Sequence, residues 1–208
     1  MNGTGYQNLF SGNISNDIYF NFSYICQSMQ RKLILDGKLL DITINRLCQQ
    51  LIENHGSFND TVVLGLQPRG VFLADLVHHT LEKLTGNQIP IGYLDTTFHR
   101  DDFRRREIPV RANATQVSFI IEDKNVLLID DVLYTGRSVR AAMDAMIAFG
   151  RPRTVELLVL INRKYSRELP IEADYIGRSV STMDSQKVLV EWEVQGHKSN
   201  KIWLINKE

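Results

Sequence analysis

The order of apolar runs along this chain predicts an α/β fold, a mainly parallel sheet flanked by helices with a small antiparallel addition. Three observations carry that expectation. Short, continuously apolar runs alternate with stretches of helical period, which is the pattern of strand–helix units in a parallel sheet. Val126-Leu127-Leu128-Ile129 runs directly into Asp130-Asp131 and then into Thr135-Gly136-Arg137-Ser138, the order of a buried strand, a loop and a helix start. The last runs, Lys187 to Val194 and Lys201 to Ile205, alternate in polarity and can pair across a turn at Gly196-His197.

Taken in order, Asp36 is placed to cap a helix from Lys38 to Asn54, with Leu40, Ile44, Leu47, Leu51 and Ile52 on its apolar face. Thr61 to Leu66 reads as a buried strand, Gln67-Pro68-Arg69-Gly70 as a turn, and Val71 to Leu84 as a helix. Ile89 to Leu94 is the next strand. Asp95 to Asp123 is a long polar excursion crowded with Arg100, Arg104, Arg105 and Arg106, the kind of insertion that serves as a lid. After the acidic strand, Val139, Ala142, Met143, Met146 and Ile147 recur at helical spacing until Gly150 and Pro152. Thr154 to Ile161 and Ala173 to Val180 complete the strands of the sheet.

Size and charge narrow the function. The 208 residues suit one domain, 29–208, behind an extension, 1–28, whose only charged side chain is Asp17 and for which poor order is expected. With 24 basic and 24 acidic residues the net charge is zero, which gives no general attraction to nucleic acid or anionic membrane. Cys26 and Cys48 lack a metal-type spacing and are expected to be reduced thiols of a cytoplasmic protein, one of them packed in a helix. No apolar run has bilayer length. The extension has no basic stretch leading into an apolar core, so a secretory signal is not expected.

The chemistry concentrates at the end of the acidic strand. Ligands of parallel sheets sit beyond the carboxyl ends of the strands. Two neighbouring carboxylates there call for a cation or a hydroxyl-bearing ligand. Gly136 allows close backbone approach, Thr135 and Ser138 add hydroxyls, Arg137 adds charge, and the helix start favours an anion. A phosphorylated sugar meets all of these requirements. A covalent nucleophile is not needed: His78 and His79 read as helix residues, His55 and His197 as turn residues, and His99 borders the polar excursion.

These residues together resemble the bifunctional pyrimidine operon attenuator/uracil phosphoribosyltransferase family, a branch of the type I phosphoribosyltransferases. The motifs are Leu64 to Gly70, Tyr93-Leu94-Asp95 with Arg100-Asp101-Asp102, the acidic strand with its loop, and Arg167 to Ile171 through Ala173 to Gly177; the likeness runs from Ile34 to Glu193. The resemblance implies phosphoribosyl pyrophosphate and uracil as substrates and Mg²⁺ as cofactor, with no metal ligand assigned to a side chain. It implies that Asp130 and Asp131 hold the ribose hydroxyls. It assigns the 5′-phosphate to Leu133, Tyr134, Thr135, Gly136, Arg137 and Ser138, with Val132 also in the substrate site. Pro68, Arg69 and Gly70 fall in the pyrophosphate loop, and Arg100 in a mobile loop over the site. Arg163 joins the substrate site, and Ile176, Gly177 and Arg178 match a hood segment that meets the nucleobase through its backbone. A homo-oligomer is expected and a membrane partner is not.

Several positions depart from the family pattern. Pro68 replaces a threonine, and Asn162 replaces an aspartate before Arg163. On the RNA-contacting face, Asn45 and Gln49 stand where Thr and His are usual, although Arg46 remains. Lys164-Tyr165-Ser166 replaces a Gly-His segment, and Glu172 an arginine. RNA binding is therefore expected to be weak or missing. Two other readings keep the fold: a nucleotide-sensing RNA regulator with little turnover, and an enzyme for a purine base.

Overall fold

The computed structural model describes residues 31–99 and 114–206. The extension expected over 1–28, and Arg100 with most of the arginine-rich excursion, lie outside the described residues. Five strands form one parallel sheet: β2 (Thr61–Gln67), β3 (Ile91–Asp95), β4 (Asn125–Leu133), β5 (Thr154–Lys164) and β6 (Tyr175–Ser181), in the order β3-β2-β4-β5-β6. β1 (Arg31–Leu35), β7 (Gln186–Glu191) and β8 (Lys201–Asn206) form a separate antiparallel sheet in the order β1-β8-β7, the hood. The expected α/β architecture is what the chain adopts.

β4 shows why the centre of the sheet reads as a continuous apolar run. Leu127 and Ile129 enter a core shared with α1 (Gly37–His55), α2 (Gly70–Thr85) and the hood residues Val190, Trp192 and Ile202. Val126 and Leu128 point the other way, into a core with Val139, Ala142 and Met146 of α3 (Arg137–Met146). Both faces are covered, so neither can be polar. Asp36 caps α1 as expected, accepting from the Leu39 N–H at 2.8 Å.

Four expectations need correction. β4 does not stop at Ile129: Asp130 pairs with Val159, and the ladder continues through Val132↔Ile161 and Leu133↔Asn162. The neighbouring β5 supplies backbone partners that carry the strand past its acidic pair. β1, five residues with two leading charges, was not expected as a strand and is made one by pairing with β8. Met143 of α3 is 47% exposed and Ile147, just past the end of the helix, 72% exposed, while Ala141 and Ala145 are buried with Val139, Ala142 and Met146. Ile176, Gly177 and Arg178 belong to β6, the edge of the main sheet, and not to the hood.

Three arginines tie the hood to the main sheet. Arg69 donates to the Val190 carbonyl at 3.0 Å and Arg178 to the Ile34 carbonyl at 2.8 Å. Arg163 donates to Thr182 Oγ1 at 2.9 Å and to the Gln186 carbonyl at 3.0 Å. Below them Trp192, 1% exposed, packs beside Phe72 of α2.

Candidate active site

β2 leads on to β3 on one side, while β4 lies on its other side, so the connections diverge at the carboxyl ends of β2 and β4. Such a switch point opens a crevice between two loops. Here the loops are Pro68 to Gly70 after β2 and Tyr134 to Gly136 after β4. The first packs against β4 because Gly70 has no side chain: a Cβ there would lie 2.6 Å from the Ile129 carbonyl oxygen and 3.0 Å from the Asp130 Cα. The Gln67–Pro68 peptide is cis.

The crevice is a cavity of about 280 Å³ lined by Arg69, the run Asp130 to Gly136, Ser138, Val139, Arg163 and, from the hood, Lys187 and Val188. Arg69 Nε donates to Asp131 Oδ2 at 2.9 Å, joining the loop after β2 to the end of β4 by an ion pair. Asp130 Oδ1 accepts from the Asp131 N–H at 2.9 Å. Asp131 is buried. Loss of hydration pushes its carboxyl above the usual carboxylate range, and the Arg69 guanidinium opposes that rise without cancelling it. The central guanidinium carbon of Arg163 sits over the Tyr134 ring, 3.9 Å from its centre, and burial pushes the guanidinium below the ordinary arginine range.

The loop after β4 is built by local chemistry. Gly136 caps α3 at φ 93°, a left-handed conformation that a side chain would strain. Thr135 Oγ1 accepts from the Arg137 N–H at 3.4 Å. Ser138 and Val139, in the first turn of α3, line the same crevice, where the helix dipole favours an anion.

Of the residues expected at the site, the structure gathers Arg69, Asp130, Asp131, Val132, Leu133, Tyr134, Thr135, Gly136, Ser138 and Arg163 around one cavity. Gly70 supports it from below. Arg137 pairs with Glu168, Nε to Oε2 at 2.7 Å, and is not among the lining residues. Pro68 borders a different cavity with Val71, Asp75 and Tyr93. Ile176 borders a third, of about 860 Å³, next to Lys164 and Arg167. The Ile176 and Gly177 carbonyls accept from Arg46 Nη2 at 3.1 and 2.7 Å, and Arg178 turns toward β1. Lys187 and Val188 were missed in the sequence reading. They lie more than fifty positions beyond the acidic pair, and only the hood's fold carries them to it.

No group of three or more His, Cys, Asp and Glu among the described residues is arranged to hold a metal ion. The acidic pair remains, with Asp131 engaged by Arg69. That donor set suits Mg²⁺ taking most of its ligands from a bound diphosphate and water.

Residues 30–195 match the family described as phosphoribosyl transferase domain. Among solved structures, the hypoxanthine phosphoribosyltransferase of Trypanosoma cruzi superposes with a TM-score of 0.64 at 13% identity, covering 85% of this chain and 97% of that one. An enzyme from Leishmania tarentolae in complex with GMP gives 0.65 at 12% identity, covering 87% and 99%. These likenesses show the fold, which is that of a type I phosphoribosyltransferase. Curated relatives resolve the branch. The bifunctional protein PyrR of Desulfosudis oleivorans is 42% identical over 161 residues, 77% of this chain and 89% of its own. That of Bacillus subtilis is 39% identical over 165 residues, 78% and 90%. The chain belongs to the phosphoribosyltransferase family and, within it, to the family of the bifunctional protein PyrR.

Proposed function

We propose that this protein transfers a phosphoribosyl group from phosphoribosyl pyrophosphate to uracil, giving uridine monophosphate and pyrophosphate in pyrimidine salvage. The observation that carries the reading is the ion pair between Arg69 and Asp131, which brings a cationic loop and an acidic strand end to one cavity beside a helix start. Asp130 and Asp131 accept the ribose hydroxyls. The Leu133 to Ser138 loop and the start of α3 hold the 5′-phosphate. Arg69 faces the leaving pyrophosphate; the family resemblance gives a role over the site to Arg100 as well, which lies outside the described residues. Lys187 and Val188 bring the hood close to where the base would lie.

Catalysis on this account is alignment and charge. The bond from the uracil nitrogen to the anomeric carbon forms as the bond to pyrophosphate breaks, so the reacting atoms must be in line and water excluded. Asp130 and Asp131 are the residues that would hold Mg²⁺ together with the diphosphate, and the ion would supply neutralisation of the leaving group. Arg69 adds fixed positive charge at the same end. The Asp130→Asn, Asp131→Asn double variant tests the assignment. It should fold and lose most turnover through a raised KM for phosphoribosyl pyrophosphate; a folded double variant with native kinetics would contradict it.

A further inference from the structure

The loop that joins β5 to β6 wraps the outer side of the phosphate loop. Arg167 Nη1 donates to the Tyr134 carbonyl, and its Nη2 donates to Asn162 Oδ1 at 2.6 Å. The Glu168 and Leu169 N–H groups both donate to the Thr135 carbonyl, at 3.1 and 3.2 Å. Glu168 also pairs with Arg137, and Ile171 and Leu169 pack so closely on Gly136 that an added Cβ would lie 3.2 and 3.4 Å from them. Two consecutive carbonyls are thus turned outward onto one brace. In a trans peptide the N–H points opposite to the C=O. The N–H groups of Thr135 and Gly136 are therefore directed away from the brace, toward the cavity that both residues line.

Both acceptors of the Arg167 guanidinium are neutral, a backbone carbonyl and an amide oxygen. Burial pushes Arg167 below the ordinary arginine range, with Glu172 partly offsetting it. A half-buried cation donating to two neutral acceptors is placed for geometry and not for charge balance. Asn162, which stands where an aspartate is usual, becomes intelligible in the same way: its amide oxygen holds the far side of the guanidinium.

We infer that Arg167, held by Asn162, is a positioning residue that fixes the Tyr134 carbonyl outward and so aims the phosphate-loop N–H groups at the 5′-phosphate. The inference rests on the reading of this cavity as a sugar-phosphate site. It makes Arg167 matter for the phosphate end of the ligand and not for the diphosphate end, which belongs to Arg69. The opposite expectation, that Arg167 is a surface cation, does not account for its two inward contacts.

The test uses the full chain and two probes, phosphoribosyl pyrophosphate and inorganic pyrophosphate, each with Mg²⁺, titrated by calorimetry. In Arg167→Ala, affinity for phosphoribosyl pyrophosphate should fall by about tenfold, the scale of one hydrogen bond from a charged donor. Affinity for pyrophosphate, which does not reach the phosphate loop, should stay within about twofold. Arg167→Lys should recover part of the loss, because an ammonium can reach one of the two acceptors. Faster amide exchange at Thr135 and Gly136 in the alanine variant should accompany the loss. If Arg167→Ala does not fold, Asn162→Ala replaces it, with a loss of about threefold for the sugar phosphate alone. An unchanged ratio of the two affinities in the folded variant overturns the inference, as does an equal fall in both, which would mark a general structural role. A native chain that binds the two probes alike would remove the reading of the site itself, and with it this role for Arg167.

Discussion

Gly70→Ala separates the two halves of the site without replacing a charged group. The new methyl carbon would lie 2.6 Å from the Ile129 carbonyl oxygen, 3.0 Å from the Asp130 Cα and 3.2 Å from Asp130 Oδ1. Two of these neighbours are backbone atoms of β4, which is paired on both sides and cannot yield cheaply. To reach even a short carbon–oxygen contact of about 3.3 Å, the Arg69 loop must withdraw by roughly 0.7 Å. That movement stretches the 2.9 Å bond from Arg69 to Asp131 and shifts the start of α2. Overpacking of this kind costs about 1–3 kcal/mol of stability. A misplacement near 1 Å at a reacting centre costs up to about a hundredfold in rate. Urea denaturation should therefore show a lower midpoint with an unchanged slope, and kcat/KM for phosphoribosyl pyrophosphate should fall by about ten- to a hundredfold. Native stability and native kinetics in Gly70→Ala would refute the claim that close packing of this loop on β4 builds the site.

Asp131 predicts a pH dependence. Its folded value is raised, so it keeps its proton where the unfolded chain has lost it. Its contribution to stability is present below the unfolded value, about 4, and is lost as pH rises through the folded one. The ionised form is the stronger acceptor of hydroxyls, so cosubstrate affinity should be gained over that rise; an acid limb of kcat/KM above the ordinary carboxylate range should appear and should vanish in Asp131→Asn. Cys48, buried in α1 with its thiol pushed up to about 12, should resist a disulfide reagent in folded Cys26→Ser protein and react on unfolding; rapid labelling of the folded variant would contradict its burial. RNA binding should be weak, because Arg46 is engaged by β6 carbonyls, Arg163 by the hood and Arg167 by the phosphate loop, which leaves Lys164 and the 90% exposed Tyr165; tight, salt-sensitive retention of a pyrimidine-leader hairpin in a mobility assay would reverse this.

What could be read from the sequence was local. The strand–loop–helix around Asp130 and Gly136 announces itself because burial, acidity and a glycine turn occur within thirteen residues. Asp36 and the apolar face of α1 are equally local signals. The rest depends on pairing and long reach. β1 has too few residues for an alternation signal and exists through β8. Lys187 and Val188 reach the cavity through the hood, and Arg167 reaches Tyr134 across 33 positions. Arg163 and Arg178 carried a substrate role in the sequence reading, yet each spends donors on joining the hood to the main sheet. A charge in a sequence does not say whether its partner will be a ligand or a carbonyl.

The central claim is tested most directly by incubating the full chain with labelled phosphoribosyl pyrophosphate, Mg²⁺ and, in separate reactions, uracil, hypoxanthine, guanine and xanthine, and measuring nucleotide formed. The account predicts uridine monophosphate from uracil, dependent on Mg²⁺, with little product from the purines. Turnover of a purine in preference to uracil, or no nucleotide from any base by a chain that still binds the cosubstrate, would contradict it.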